Sequence, residues 1–338
     1  MWDIFWLLHT INLNFTKQCL KDNTVIPTSW DHGITLFHSI LPLLATTNCD
    51  TKVILYDLTT SPGTQQYVLD DHKHLVSAIA FHSHYFLLAT ASFDACVILY
   101  NINIISSPII KCNFKHHTDF IMSIAFHPND LIFASAGIDK TVIMYDLSTT
   151  PPTLKHHLKD HLDSIYSITF HTNVALFATG SSDMSTFIYD TSTSPPTRVL
   201  HLKDSQPCKI VSVDFCAHFP LLATGSESGV IYIYDLTHSP SVIKYDITDH
   251  YSPVYSLSFH QTLPLFITES KSSSWYLYNI TSLPPTIQHH TPYHNYNQHD
   301  LVYTVCFHMS FSICAIKLRK KILLHNMDTF LNQPNATK

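Results

Sequence analysis

Residues Phe126 to Thr153 read FHPNDLIFASAGIDKTVIMYDLSTTPPT. A phenylalanine–histidine pair leads into an apolar run ending in Ala-Ser; an aspartate follows, then a second apolar run ending in Tyr-Asp. The chain repeats this pattern. Aligned on the phenylalanine, copies stand at Phe37, Phe81, Phe126, Phe170, Phe215, Phe259 and Phe307, so the spacings are 44, 45, 44, 45, 44 and 48 residues. The closing aromatic keeps step at Tyr56, Tyr100, Tyr145, Tyr189, Tyr234 and Tyr278, with His325 in the seventh place. A period near 44 fits one propeller blade, about 40–45 residues in four strands.

Within each copy, short β-rich runs such as SIYSITF, ALFATG and TVIMYD alternate with turn residues, and no helical stripe competes with them. In the third copy the spacing predicts strands over 121–126, 131–135 and 141–146, with an outer strand after STTPPT. Prolines recur in SPGT, SSPII, TTPPT, TSPPT, HSPS and LPPT, each just after a third strand. Proline lacks the N–H that a central strand needs and is tolerated at strand starts and edges. The reading is all-β: a seven-bladed β-propeller of four-stranded antiparallel blades, forming one domain over 1–338. Little chain follows the third strand of the last copy, KILLHNMD. Residues 12–27 are therefore expected to supply its outer strand and remove the open sheet edges.

On these residues the chain resembles the WD-repeat (Trp-Asp repeat) β-propeller family. The terminal Trp-Asp is Tyr-Asp at Tyr56, Tyr145, Tyr189 and Tyr234, and Tyr-Asn at Tyr100 and Tyr278. The resemblance implies a hydrogen-bonded chain of His, Ser or Thr, and Asp within a blade. Three blades keep these members: His72, Thr90 and Asp94; His117, Ser135 and Asp139; His161, Thr179 and Asp183. A buried carboxylate must find donors or lose its charge, and the imidazole and turn amides would supply them. Blades five and six carry Ser228 and Ser272 at the aspartate position and blade seven carries Arg319, so these three are expected to lack the network and be looser. With six glycines for seven blades, the turns are expected to rely on Asp, Asn and Ser.

Composition narrows the function. A chain of 338 residues with 45% hydrophobic and 13% charged residues has the balance of a folded protein, and no run approaches the roughly 18 apolar residues of a membrane span. The opening MWDIFWLLHT carries Asp3 where a secretory signal would carry a base. A net charge of -6, two arginines and one basic cluster at 317–321 lack the stripe of a nucleic-acid surface. Eight cysteines without a Cys-x-x-Cys pair fit a reducing compartment, hence a cytoplasmic location, with a nuclear one compatible. The Asn-x-Thr triplets at Asn14, Asn279 and Asn335 lack a secretory signal to give them meaning.

Of the 25 histidines, His38, His82, His127, His171, His260 and His308 each follow the aligned phenylalanine, which marks them as architectural. His289, His290, His294 and His299 crowd one connection, read as a polar loop with metal ligation as the alternative. No phosphate loop, nucleophile elbow or paired glutamates occur; Glu227 and Glu269 are the only glutamates. The expectation is a non-catalytic interaction scaffold without cofactor or metal, a monomeric propeller within a larger complex. The alternative is a propeller enzyme or metal-binding protein using the channel or the His-rich loop.

The resemblance further implies that loops on the narrower face bind an unidentified protein or peptide, with no nucleic-acid or membrane partner. The residue before each turn aspartate and those just after each histidine of the hydrogen-bonded chain, His72, His117 and His161, should border that face. They give an apolar centre of Phe93, Phe120 and Ile138, a polar rim of His74, Asp119 and Asp163, and charged positions Lys209, Glu227 and Lys271.

Overall fold

A computed structural model describes residues 24–27, 33–47, 51–59, 63–103, 106–202, 208–237, 242–272, 274–281, 284–290, 302–307, 313–318 and 321–326. Among them stand seven antiparallel four-stranded sheets and no helix. Blade one runs Thr35–Phe37, Leu43–Thr47, Val53–Asp57 and Thr64–Leu69, from innermost to outermost strand. Blade three runs Ile121–Phe126, Ile132–Gly137, Val142–Asp146 and Thr153–Leu158. Blades two, four, five and six follow the same plan, with inner strands Val76–Phe81, Ile165–Phe170, Ile210–Phe215 and Ser256–Phe259. Blade seven takes three strands from the end of the chain, Val302–Phe307, Ile313–Leu318 and Lys321–Asn326. Its outer strand is Thr24–Pro27, with Val25 opposite Leu323. The earlier part of the expected closing segment, residues 12–23, and Arg319 lie outside the described residues.

Burial holds the ring together at the seams between blades. Ala89, Ala91 and Leu99 of blade two pack with Phe133, Ile143 and Tyr145 of blade three. The last seam joins Ile26, Cys306, Ala315 and Ile322 of blade seven to Phe37, Leu44 and Tyr56 of blade one, so the ring closes. The second strand presents small residues to the next blade: Ala136, Gly180 and Gly225. A Cβ at Gly180 would lie 2.7 Å from Ile210 Cγ2 and 2.8 Å from Val213 Cγ1. Each repeat tyrosine from Tyr100 to Tyr278 is almost fully buried, worth roughly 2 kcal/mol or more apiece by area removed from water.

The repeat histidines cap the turn after the inner strand. Nδ1 of His38 accepts the amides of Ile40 and Leu41, and His82, His127, His171 and His260 do the same for their own turns. At the opposite end of the strands, the hairpin turn needs one left-handed residue. The expectation of Asp, Asn or Ser there fails: Ala95, Lys140 and Met184 adopt it, with φ of 61°, 67° and 65°, while blade five uses Gly229. In blades two to four the aspartate before the left-handed residue accepts the turn amides, and the left-handed conformation costs about 1 kcal/mol for a residue bearing a Cβ.

Candidate functional site: the face of the hairpin turns

Three blades build the same hydrogen-bonded unit beneath this face. Nδ1 of His72, His117 and His161 lies 3.0, 2.8 and 2.9 Å from Oδ2 of Asp94, Asp139 and Asp183, and Nε2 lies 2.7, 2.7 and 2.6 Å from the hydroxyls of Thr90, Ser135 and Thr179. The carboxylate only accepts, so Nδ1 carries the proton and donates. Each aspartate also takes two backbone amides, those of Lys73 and Cys96, Thr118 and Thr141, and Leu162 and Ser185. Burial works against ionisation of Asp139, but the bonds from His117 and the turn outweigh it and bring its pKa down to about 2; Asp94 and Asp183 shift the same way.

Blade six corrects the expectation that it lacks the network. His250 holds Thr268 through Nε2 at 2.8 Å and Ser274 through Nδ1 at 3.1 Å, and Ser270, Ser272 and Ser274 share hydroxyl contacts where the aspartate would stand. Without a carboxylate, burial pushes His250 down to about 4.

The tyrosine in the tryptophan's place uses a different acceptor. Tyr100, Tyr189 and Tyr278 donate to Asp71, Asp160 and Asp249 at 2.9, 3.1 and 2.9 Å, the residues immediately before His72, His161 and His250. Blade three has His116 there, and the buried Tyr145 hydroxyl has no hydrogen-bond partner.

Two acids stand apart. Asp214 takes the Thr169 hydroxyl at 3.2 Å and the Phe259 amide at 2.9 Å, tying blades four, five and six, and desolvation raises its pKa to about 7. Glu269 occupies the small-residue position of blade six. It is 1% exposed, its Oε2 has no hydrogen-bond partner, and burial raises it to about 8.

On the surface above the units, Phe93 and Phe120 stack with centroids 4.5 Å apart and planes 8° from parallel, joining blade two to blade three. His74 lies 5.9 Å from both rings. The Phe93 amide bonds Leu75 and the Ile138 amide bonds Phe120, which fixes the turns to the segments after the histidines. Phe120 is 40% exposed, Phe93, Ile138 and Asp163 are half-buried, and His74 and Asp119 are exposed. Lys209 and Glu227 pair at 3.6 Å in blade five, and Lys271 is exposed in blade six. The sequence reading missed Leu162, Met184 and Tyr251, exposed by 75%, 41% and 93%. Leu162 and Tyr251 directly follow His161 and His250, and that position was the available signal. Among the described residues, no three His, Cys, Asp or Glu side chains converge as a metal site would require. The His-rich connection beyond His290 falls outside those residues.

A family model of the WD domain, G-beta repeat (WD40) matches residues 63–101, 109–146, 152–190 and 196–235. The chain belongs to the WD40 family. The first matched repeat begins one residue before the outer strand of blade one, Thr64–Leu69, and ends within the third strand of blade two, Val97–Asn103. A WD40 repeat is therefore offset by one strand from a blade, the same offset that brings Thr24–Pro27 into blade seven. WD40 propellers generally serve as scaffolds for protein interaction. No curated protein matches the chain.

Proposed function

We propose that this WD40 propeller is a non-catalytic adaptor that docks a protein or peptide on the face of the hairpin turns, across blades two to four. The observation that carries the reading is the Phe93–Phe120 stack, with Phe120 40% exposed. Large apolar side chains held in place by backbone hydrogen bonds, with Asp119 next to Phe120 in the chain and Asp163 at the same position of blade four, have the anatomy of an interface: an apolar centre and a polar rim. Leu162 and Met184 extend the apolar area into blade four. The cytoplasmic location, read from cysteine usage, and the monomeric state expected of a propeller within a larger complex belong to the same proposal.

Affinity capture from native lysate, with partners identified by mass spectrometry, supplies the ligand. Replacing Phe93 and Phe120 together by alanine should weaken that partner by about tenfold or more, since two phenylalanines can account for several kcal/mol of burial. The melting temperature should hold. An unfolded double variant would place the pair in the core, and full binding by a folded one would move the partner to another face. The alternative enzyme reading is checked by metal analysis of the purified protein, where stoichiometric zinc, calcium or manganese would favour it.

A further inference from the structure

At the other end of the strands, away from the aromatic stack, a cleft of about 210 Å³ opens between blades three and four. Its wall includes His127 and Asp130 from the inner turn of blade three, Lys155 and His156 from that blade's outer strand, and Thr191 and Ser194 from the loop after the third strand of blade four. Three hydrogen-bond donors on this wall are unspent.

The first is His127. Its Nδ1 accepts the amides of Asp130 at 3.0 Å and Asn129 at 3.4 Å, so the proton of the neutral ring sits on Nε2. In blade two the equivalent His82 reaches the carbonyl of Asp130 through Nε2 at 3.1 Å; no corresponding acceptor serves His127 among the described residues. The second is the Thr191 hydroxyl, buried without a hydrogen-bond partner. The third is Lys155, which has no carboxylate at ion-pair distance among the described residues. After burial, its charge helps to hold both His127 and His156 below the ordinary histidine range. Ser194 contacts His156 Nε2 at 3.3 Å, placing a fourth polar group at the mouth. The one carboxylate on the wall, Asp130, is 64% exposed and sits beside Nδ1 of His127, the side of the ring opposite the free donor.

We propose that this cleft binds a phosphate group, either free or as a monoester. The buried Thr191 hydroxyl left without an acceptor costs free energy that an incoming oxyanion recovers, the His127 N–H adds a second donor, and the Lys155 ammonium supplies the charge. The donors come from three separate segments, which suits a tetrahedral group with three free oxygens better than a planar carboxylate with two.

The test titrates the full chain with inorganic phosphate, O-phosphoserine and acetate at constant ionic strength, reading the ring signals of His127 and His156 by NMR and the heat by calorimetry. Phosphate or phosphoserine should bind saturably, move both rings and raise their titration midpoints, and outcompete acetate. The stronger of the two identifies the free ion or the ester as the source. Lys155→Met should weaken binding about tenfold or more, and Thr191→Val by a smaller factor without changing the melting temperature. Lys111→Met, on the outer strand of blade two, should bind as the parent does. Absence of saturable binding up to roughly 20 mM, a range that reaches the weakest specific affinities, would overturn the proposal. So would equal affinity for acetate, or parental binding by both Lys155→Met and Thr191→Val.

Discussion

Removing one oxygen from the repeat tyrosines should have opposite consequences in different blades. In blade six the Tyr278 hydroxyl donates to Asp249 at 2.9 Å from a fully buried ring. A hydrogen bond to a charged acceptor contributes about 1.5–3 kcal/mol, and Asp249 is only half-buried, so Tyr278→Phe should cost near the lower end, about 1.5 kcal/mol. Tyr189→Phe and Tyr100→Phe should cost about 1 kcal/mol, because Asp160 and Asp71 are more exposed and rehydrate when released. In blade three the Tyr145 hydroxyl is buried and unpaired, so Tyr145→Phe should be neutral or stabilise by about 0.5 kcal/mol. His116→Asp would place a carboxylate where blades two, four and six have one, and its gain should vanish in the Tyr145→Phe background. Urea unfolding followed by circular dichroism, with constant slope, measures the parent, the five single variants and the His116→Asp/Tyr145→Phe double variant. A Tyr145→Phe loss as large as that of Tyr278→Phe would refute the assignment of Asp249 and its counterparts as the acceptors.

Three further outcomes follow from the same geometry. Glu269 at about 8 and Asp214 at about 7 lie above their ordinary values of 4.5 and 3.8, so the stability each adds is present below those values and lost as pH rises through 7 to 8. His250, depressed to about 4, adds stability above 6.5 that is lost on acidification, but between 4.5 and 6.5 the two acids lose more than it gains, so these three groups together should make stability fall from about pH 4.5 to pH 8. Glu269→Gln should flatten the alkaline decline, and a variant that declines like the parent would contradict this. Met184→Gly should stabilise by about 0.5–1 kcal/mol because φ of 65° strains a residue with a Cβ; a loss in thermal unfolding would count against that strain. Asp139→Ala should cost about 2 kcal/mol by stranding His117 and two turn amides, while Ser272→Ala should cost about 0.5, and equal losses would deny the carboxylate its special place.

The seven-bladed fold was legible because the period fixes the repeat and each repeat cannot bury its apolar faces alone. Phe37 through Phe307 therefore located every inner strand. The network of blade six was not read, although His250 stands nine residues before Phe259 as His161 does before Phe170. The turn aspartate marks the unit in blades two to four, whereas in blade six a cluster of serines satisfies the same imidazole. The tyrosine acceptors were visible as the Asp-His pairs at 71–72, 160–161 and 249–250, but their meaning needed the 29-residue reach from tyrosine to aspartate that only the folded blade shows. The partner face was legible by position. Its stacked geometry was not, since Phe93 and Phe120 come from different blades and their 4.5 Å approach depends on how the blades turn about the axis.

Hydrogen–deuterium exchange on the propeller with and without its captured partner tests the central claim most directly. Binding should slow exchange at residues 74–76, 93–96, 119–122 and 138–141, where the turns and post-histidine segments of blades two and three carry the stack. Protection confined to the outer strands, or to the face of the histidine-capped turns, would contradict the docking site.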